Sequence, residues 1–248
     1  MKVTVNSDMG ESFGIHSFGN DDGLLPLLDT ANVACGFHSG DPVGIHETVV
    51  KAVAAGITVG AHPGLPDLAG FGRREMKLTP DEVRDIVLYQ VGALCAFLKA
   101  EGMDLDHIKP HGSLYGMVAR DELLMEAVCD VAEIYQVPVF GMAGTTHEVV
   151  ANRRGVPFVG ELYVDLAYRA DGSLIIVRRP HATPPEVAAE RALRGLAEGC
   201  VLADTGEAVP VRFDSICVHS DTPGAVGAAQ AVRTVVDQFT AGQSNEKE

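Results

Sequence analysis

Positive charge is scarce in this 248-residue chain, where 19 Lys and Arg stand against 34 Asp and Glu for a formal net charge of −15. A field of that sign repels phosphate backbones and anionic lipid surfaces, so neither nucleic acid nor a membrane surface is an expected partner. No stretch approaches the roughly 18 consecutive apolar residues of a membrane span. Cysteine is sparse and odd in number: Cys35, Cys95, Cys129, Cys200 and Cys217 are scattered, with no C-x-x-C pair, which excludes a disulfide framework or zinc knuckle and reads as reduced core residues. Acidic Asp8 and Glu11 stand where a secretory signal needs its apolar stretch, so a cytoplasmic location is expected. Also missing are G-x-x-x-x-G-K-[ST], G-x-G-x-x-G and G-x-S-x-G, which removes a P-loop, a dinucleotide fingerprint and a serine-hydrolase elbow.

What is present is the profile of a folded globular domain, 46% hydrophobic and 21% charged. Short apolar or β-branched runs at 3–6, 32–35, 57–60, 107–109, 137–141, 158–160 and 215–218 predict seven strands. Between them lie segments with helical periodicity at 44–55, 122–135, 146–154 and 185–199, and another follows at 224–239. The clearest helix has Thr79 as N-cap, Pro80 in its first turn and Glu82 completing a capping box. Its apolar stripe is Val83, Ile86, Val87, Val91, Leu94 and Leu98. Alternating strand and helix imply a parallel sheet, and seven strands favour a closed β/α barrel over an open doubly wound sheet. Ala170-Asp171-Gly172-Ser173 marks a hairpin inserted into that rhythm. A single domain over residues 1–241 is expected, with a polar tail, 242–248, that frays.

Nearly every predicted strand ends on a residue able to bind a metal, move a proton or hold a carboxylate. Asp8 and Glu11 follow the first, His38 and Asp41 the second, His62 the third and His111 the fourth; Glu161 and Asp165 follow the sixth, His219 and Asp221 the seventh. In a β/α barrel these positions converge on the C-terminal mouth, where active sites are built. A lone histidine at a strand end is more often a packing residue; four of them on four strand ends strain that reading. His16, His46, His107, His147 and His181 have no comparable setting and are expected to be surface or capping residues. Gly36, Gly40, Gly60, Gly64, Gly70, Gly72 and Gly112 crowd the same loops and would allow close backbone approach to a ligand. Arg73 could clamp a carboxylate or phosphate, Arg74 reads as a solvated charge, and Lys109 as an electrostatic group inside the barrel.

The blocks Asn6-Ser7-Asp8-Met9-Gly10-Glu11, Ala31 to Asp41, Gly60-Ala61-His62-Pro63, Phe71-Gly72-Arg73, Lys109 to Tyr115 and Ala170 to Leu174 occur in that order. In these blocks the chain resembles the LamB/YcsF family, described as the A subunit of the prokaryotic ATP-dependent 5-oxoprolinase. The resemblance implies a seven-stranded β/α barrel of the glycoside hydrolase/deacetylase type. It further implies hydrolysis of a cyclic amide, 5-oxo-L-proline to L-glutamate, coupled to ATP hydrolysis in company with partner B and C subunits. Asp8, Glu11, His38, His62, His111 and Lys109 would be its catalytic groups, and Arg73, Asp41, Glu161, Asp165, His219 and Asp221 would hold substrate or phosphate.

The chain departs from the family's pattern at Leu166, where an arginine is usual, at Ser220 within His219-Ser220-Asp221, and over 176–184. Two other readings compete. A stand-alone metal-dependent deacetylase of an N-acyl sugar or amide would use a divalent ion on Asp8, His38 and His62, although no H-x-x-x-H pair accompanies His38 or His62. A non-catalytic binding module would gain nothing from grouping so many ionisable residues in one mouth.

Overall fold

The structure, a computed structural model, describes residues 3–177 and 181–245. Its elements in chain order are β1 (Thr4–Met9), α1 (Asp21–Leu24), β2 (Thr30–Ala34), α2 (Pro42–Ala55), β3 (Thr58–His62), α3 (Pro80–Ala100), α4 (Gly112–Val118), α5 (Glu122–Tyr135), β4 (Val139–Gly141), α6 (Thr146–Arg154), β5 (Phe158–Tyr163), β6 (Ala167–Tyr168), β7 (Leu174–Ile175), α7 (Pro185–Glu198), β8 (Cys200–Leu202), β9 (Ala208–Pro210), β10 (Ser215–Cys217) and α8 (Ala225–Asn245). Six strands form one curled, wholly parallel sheet in the order β3-β2-β1-β10-β5-β4. Parallel neighbours need crossover helices, and these cover the sheet so that β2 and β10 are buried along their whole length.

Six strands stand where seven were expected. The run 107–109 supplies a single pairing residue, Ile108, which bridges in parallel to Ala61 of β3 on one side and Val139 of β4 on the other. The Ala61 amide donates to the His107 carbonyl at 2.8 Å and the Phe140 amide to the Ile108 carbonyl at 3.0 Å. Pro110 has no N–H to extend the ladder toward β4, while on the β3 side the Asp106, Lys109 and His111 amides bond the Val59, Ala61 and Pro63 carbonyls, each at 2.9 Å. Both edges of the sheet therefore meet across this short segment, with Ile108 bridging to each.

Helix α3 begins as its sequence demands, with Thr79 and Glu82 bonded reciprocally as a capping box. Its buried face is Val83, Val87, Val91, Leu94 and Leu98, with Ile86 at the margin. Each such side chain contributes about 1.5–3 kcal/mol of burial. The inserted hairpin forms as β6 and β7, antiparallel, with Asp171 Oδ1 accepting from the Ser173 amide across the turn at 2.9 Å. A second hairpin, β8 with β9, and the short helix α4 were not legible beforehand. Helix α8 runs to Asn245, four residues into the stretch expected to fray; 246–248 lie outside the described residues, as do 178–180 within the divergent stretch 176–184. Among the described residues no helix is long and apolar enough to cross a membrane.

Candidate active site

Strand alternation builds the inner layer of the site. Residues two apart share a face, so Asn6 with Asp8, His107 with Lys109 and Glu161 with Tyr163 turn inward together, and each of the six is buried. The Lys109 ammonium lies 2.9 Å from Asp8 Oδ1, 3.2 Å from Glu161 Oε1 and 3.1 Å from Cys217 Sγ. Burial opposes its charge, yet Asp8 foremost among its neighbours holds the Lys109 pKa well above the usual lysine value. Asp8 also accepts from Asn32 Nδ2 at 2.8 Å and faces His62 Nε2 at 3.2 Å. Burial would raise its pKa, but His62 and Lys109 outweigh burial and keep it an ionised carboxylate.

Beside this pair lies a histidine cluster. His62 donates from Nδ1 to the Lys109 carbonyl at 2.7 Å, and His111 donates from Nε2 to the Phe71 carbonyl at 2.9 Å. Their remaining nitrogens face one another at 2.9 Å. His38 stacks on His111 with centroids 3.7 Å apart and sets Nε2 3.3 Å from Glu11 Oε1. Burial, then the neighbouring imidazoles, pushes His38 and His111 well below the ordinary histidine value. Burial, then Asp221 and Asp8, pushes Glu11 well above the carboxylate range.

The loop after β3 closes over these rings because its glycines leave the space. A Cβ on Gly64 would stand 2.6 Å from His38 Nδ1, and one on Gly72, whose φ is +61°, would stand 2.8 Å from His111 Cδ2. Phe71 itself has φ +54°, strained for a side-chain-bearing residue, and its carbonyl is the one that fixes His111.

At the outer rim Arg73 pairs with Asp221 at 2.8 Å and lies over the Phe71 ring. His219 is clamped by Asp165, which accepts from its backbone amide at 2.7 Å and from its Nδ1 at 2.9 Å. Burial would lower the His219 pKa, but Asp165, and then Asp8, drive it up to about 9. Asp8, His62, Arg73, Lys109, His111 and His219 line a single cleft, roofed by Leu166, Leu174, Ile176 and Val177 from the hairpin region. Glu11, His38, Glu161 and Asp165 stand behind them.

Several expectations are corrected. Asp41 lies off the cleft lining: its carboxylate caps α2 through the Val43 and Gly44 amides and takes the Gly14 amide. His107 and His147 are fully buried, not surface residues. His147 accepts from the Met142 amide and donates to the Tyr115 carbonyl, a satisfied core histidine. His107 sets Nε2 2.6 Å from Asn32 Oδ1 and Nδ1 2.8 Å from Asp106, so Asp106, His107, Asn32 and Asp8 form one hydrogen-bonded line. Its inward turn was available from Lys109, two residues on. Arg74 is not merely solvated but paired with buried Asp67. The donors able to hold a metal are grouped as Glu11, His38, His62 and His111, while Asp8 falls in a second group with Cys217 and His219.

Fold and cleft together define a class: a parallel α/β protein with a buried centre of histidines, carboxylates and one lysine at the C-terminal ends of its strands. The LamB/YcsF family model matches residues 3–246, and the chain belongs to that family. A 5-oxoprolinase A subunit from Thermus thermophilus is 47% identical over 242 residues, 96% of this chain and 97% of that protein. A lactam utilization protein, lamB, of Emericella nidulans is 46% identical over 96% of this chain and 95% of its own. The crystal structure of a lactam utilization protein from Thermus thermophilus superposes with a TM-score of 0.88 at 46% identity, covering 96% of this chain and 97% of that one.

Proposed function

We propose that this chain is the A-type subunit of a cytoplasmic 5-oxoprolinase that hydrolyses the lactam of 5-oxo-L-proline to L-glutamate with ATP hydrolysis, alongside B and C subunits. We infer too that Ile108 serves as a seventh stave, so that a single domain closes as a barrel of the deacetylase type. The observation carrying the functional reading is the cleft itself, in which an ionised Asp8 faces a cationic His219 at 3.6 Å beside Arg73 and two further histidines. The names of the relatives support the substrate.

A lactam carbonyl is a poor electrophile, so ring opening needs a base for water, charge to meet the developing oxyanion, and a proton for the departing nitrogen. Asp8 would take the water proton, the Arg73 and Lys109 cations would meet negative charge, and His219 would protonate the ring nitrogen as the C–N bond breaks. Leu166, standing where family members carry arginine, lines the cleft and is the first residue to govern which lactam fits.

The cations lining the cleft are paired, Lys109 with Asp8 and Glu161, Arg73 with Asp221 and His219 with Asp165, and the sequence carries no P-loop to cradle a triphosphate. ATP is assigned to the partner subunits or to their junction with this chain. The stand-alone deacetylase reading draws no support from the named relatives. The test is to mix the purified chain with B and C subunits, ATP and 5-oxoproline, and measure glutamate and ADP. The expectation is equimolar formation of both, abolished by Asp8→Ala and His62→Ala; turnover unaffected by either substitution would overturn the site.

A further inference from the structure

Two imidazoles whose outer nitrogens are both bound to backbone carbonyls leave only lone pairs on their inner nitrogens when neutral. His62 Nε2 and His111 Nδ1 are such a pair, 2.9 Å apart in a fully buried setting. Two lone pairs at that separation repel, so something positive belongs between them. The carbonyl bonds that orient the outer N–H groups are the arrangement by which proteins fix metal-ligating histidines.

The surrounding donors answer to one ion. A tetrahedral zinc-type ion about 2.0–2.1 Å from its ligands spaces them about 3.3 Å apart. His111 Nδ1 lies 3.9 Å from Glu11 Oε1, and the His62–His111 gap needs to open by only a few tenths of an ångström. These three ligand atoms fall within 4.8 Å of one another. Asp8, 3.2 Å from His62 Nε2, adds a second negative charge next to the gap without joining the set. The glycines at 64 and 72 leave no room for side chains over His38 and His111, and so hold these rings where they are.

We propose that Glu11, His62 and His111 form a binding site for one divalent transition-metal ion of the zinc type, with His38, stacked parallel on His111 and bonded to Glu11, outside the ligand set. Two imidazoles and one carboxylate suit Zn²⁺ or Co²⁺ and disfavour Mg²⁺ or Ca²⁺, which prefer oxygen. The site does not depend on which lactam, or which amide, the cleft accepts.

The test strips the purified chain with chelator, reloads it with Zn²⁺ or Co²⁺ and removes free metal. Metal per chain is then measured together with the visible spectrum of the Co²⁺ form. One ion per chain is expected, with the strong visible bands of a low-coordinate, nitrogen-rich cobalt site. Binding should vanish in His111→Ala and in His62→Asn, each checked by circular dichroism for a wild-type fold, and persist in His219→Asn and Cys217→Ser. Failure of the wild type to retain either ion would overturn the site. So would retention in both histidine variants, or loss in His219→Asn, which would move the ion to the Asp8 group. A far-downfield imidazole proton in metal-free protein that survives Zn²⁺ addition would assign the gap to a shared proton and overturn it as well.

Discussion

Replacing Asp165 by Asn removes the charge that makes His219 a cation while keeping the side chain's shape. His219 stands at about 9 against an ordinary 6.5, so its protonated form is favoured by about 3 kcal/mol over a free histidine. Burial pulls the other way, which means Asp165 and Asp8 together contribute more than that net figure. Without the Asp165 charge His219 returns to 6.5 or lower. At pH 8 the cationic fraction then drops roughly 30-fold, from about nine-tenths to about three-hundredths. The amide can also accept only one of the two N–H groups that the carboxylate now takes, which adds a loss of orientation. In the reconstituted lactamase, kcat/KM of the native chain should fall on an alkaline limb near pH 9. In Asp165→Asn that limb should move to neutrality or below, with the imidazole resonances of His219 titrating in parallel. Stability follows the same sign. The folded pKa is raised, so the His219 contribution is fully present below pH 6.5 and is lost as pH rises through about 9. An alkaline limb and a His219 titration both unmoved in a folded Asp165→Asn variant would refute the assignment.

Other perturbations have equally definite outcomes. Lys109→Met leaves Asp8 and Glu161 buried without their cation and should cost about 3–5 kcal/mol in urea unfolding; a change under about 1 kcal/mol would contradict the ion-pair account. Gly72→Ala meets His111 and His38 as well as an unfavourable φ, whereas Gly56→Ala, at φ +70° in open space, meets only the φ cost of about 1–2 kcal/mol. Only the Gly72 variant should shift the His111 resonances and lower turnover. His147 is held at about 4 by burial, so its neutral form stabilises the fold above pH 6.5. That contribution, about 3 kcal/mol, is lost as pH falls from 6.5 through about 4, and His147→Gln should flatten this part of the stability profile.

The convergence of Asp8, His38, His62, His111 and His219 was legible because each follows a strand, and parallel strands deliver their C-terminal ends to one mouth. What stayed hidden depended on pairing across elements. Asp41 looks like a site residue in sequence, but its position before Pro42 gives it two helix amides to cap. His107 looks unremarkable until the two-residue period through Lys109 is followed, and Asn32 and Asn6 matter only because neighbouring strands bring them to the same carboxylate and lysine. The hairpin turn was legible from Asp171-Gly172, which any chain context would bend. Helix α4 was not, since its seven residues start at Gly112 directly after His111 and are too short for periodicity to register.

Ile108 carries a consequence of its own. The sheet's two edges are stitched over the short segment around this residue, and its flanking neighbours are the ones that matter chemically: Lys109 supplies the buried ammonium, and the Lys109 carbonyl sets which nitrogen of His62 faces the cleft. A latch this narrow transmits mechanical slack directly into charge. If β3 and β4 drift apart at the seam, the ammonium leaves Asp8 and the imidazole loses its fixed tautomer in the same motion. The poise of the reaction centre is therefore set by how tightly the molecule is fastened on its far side from β1.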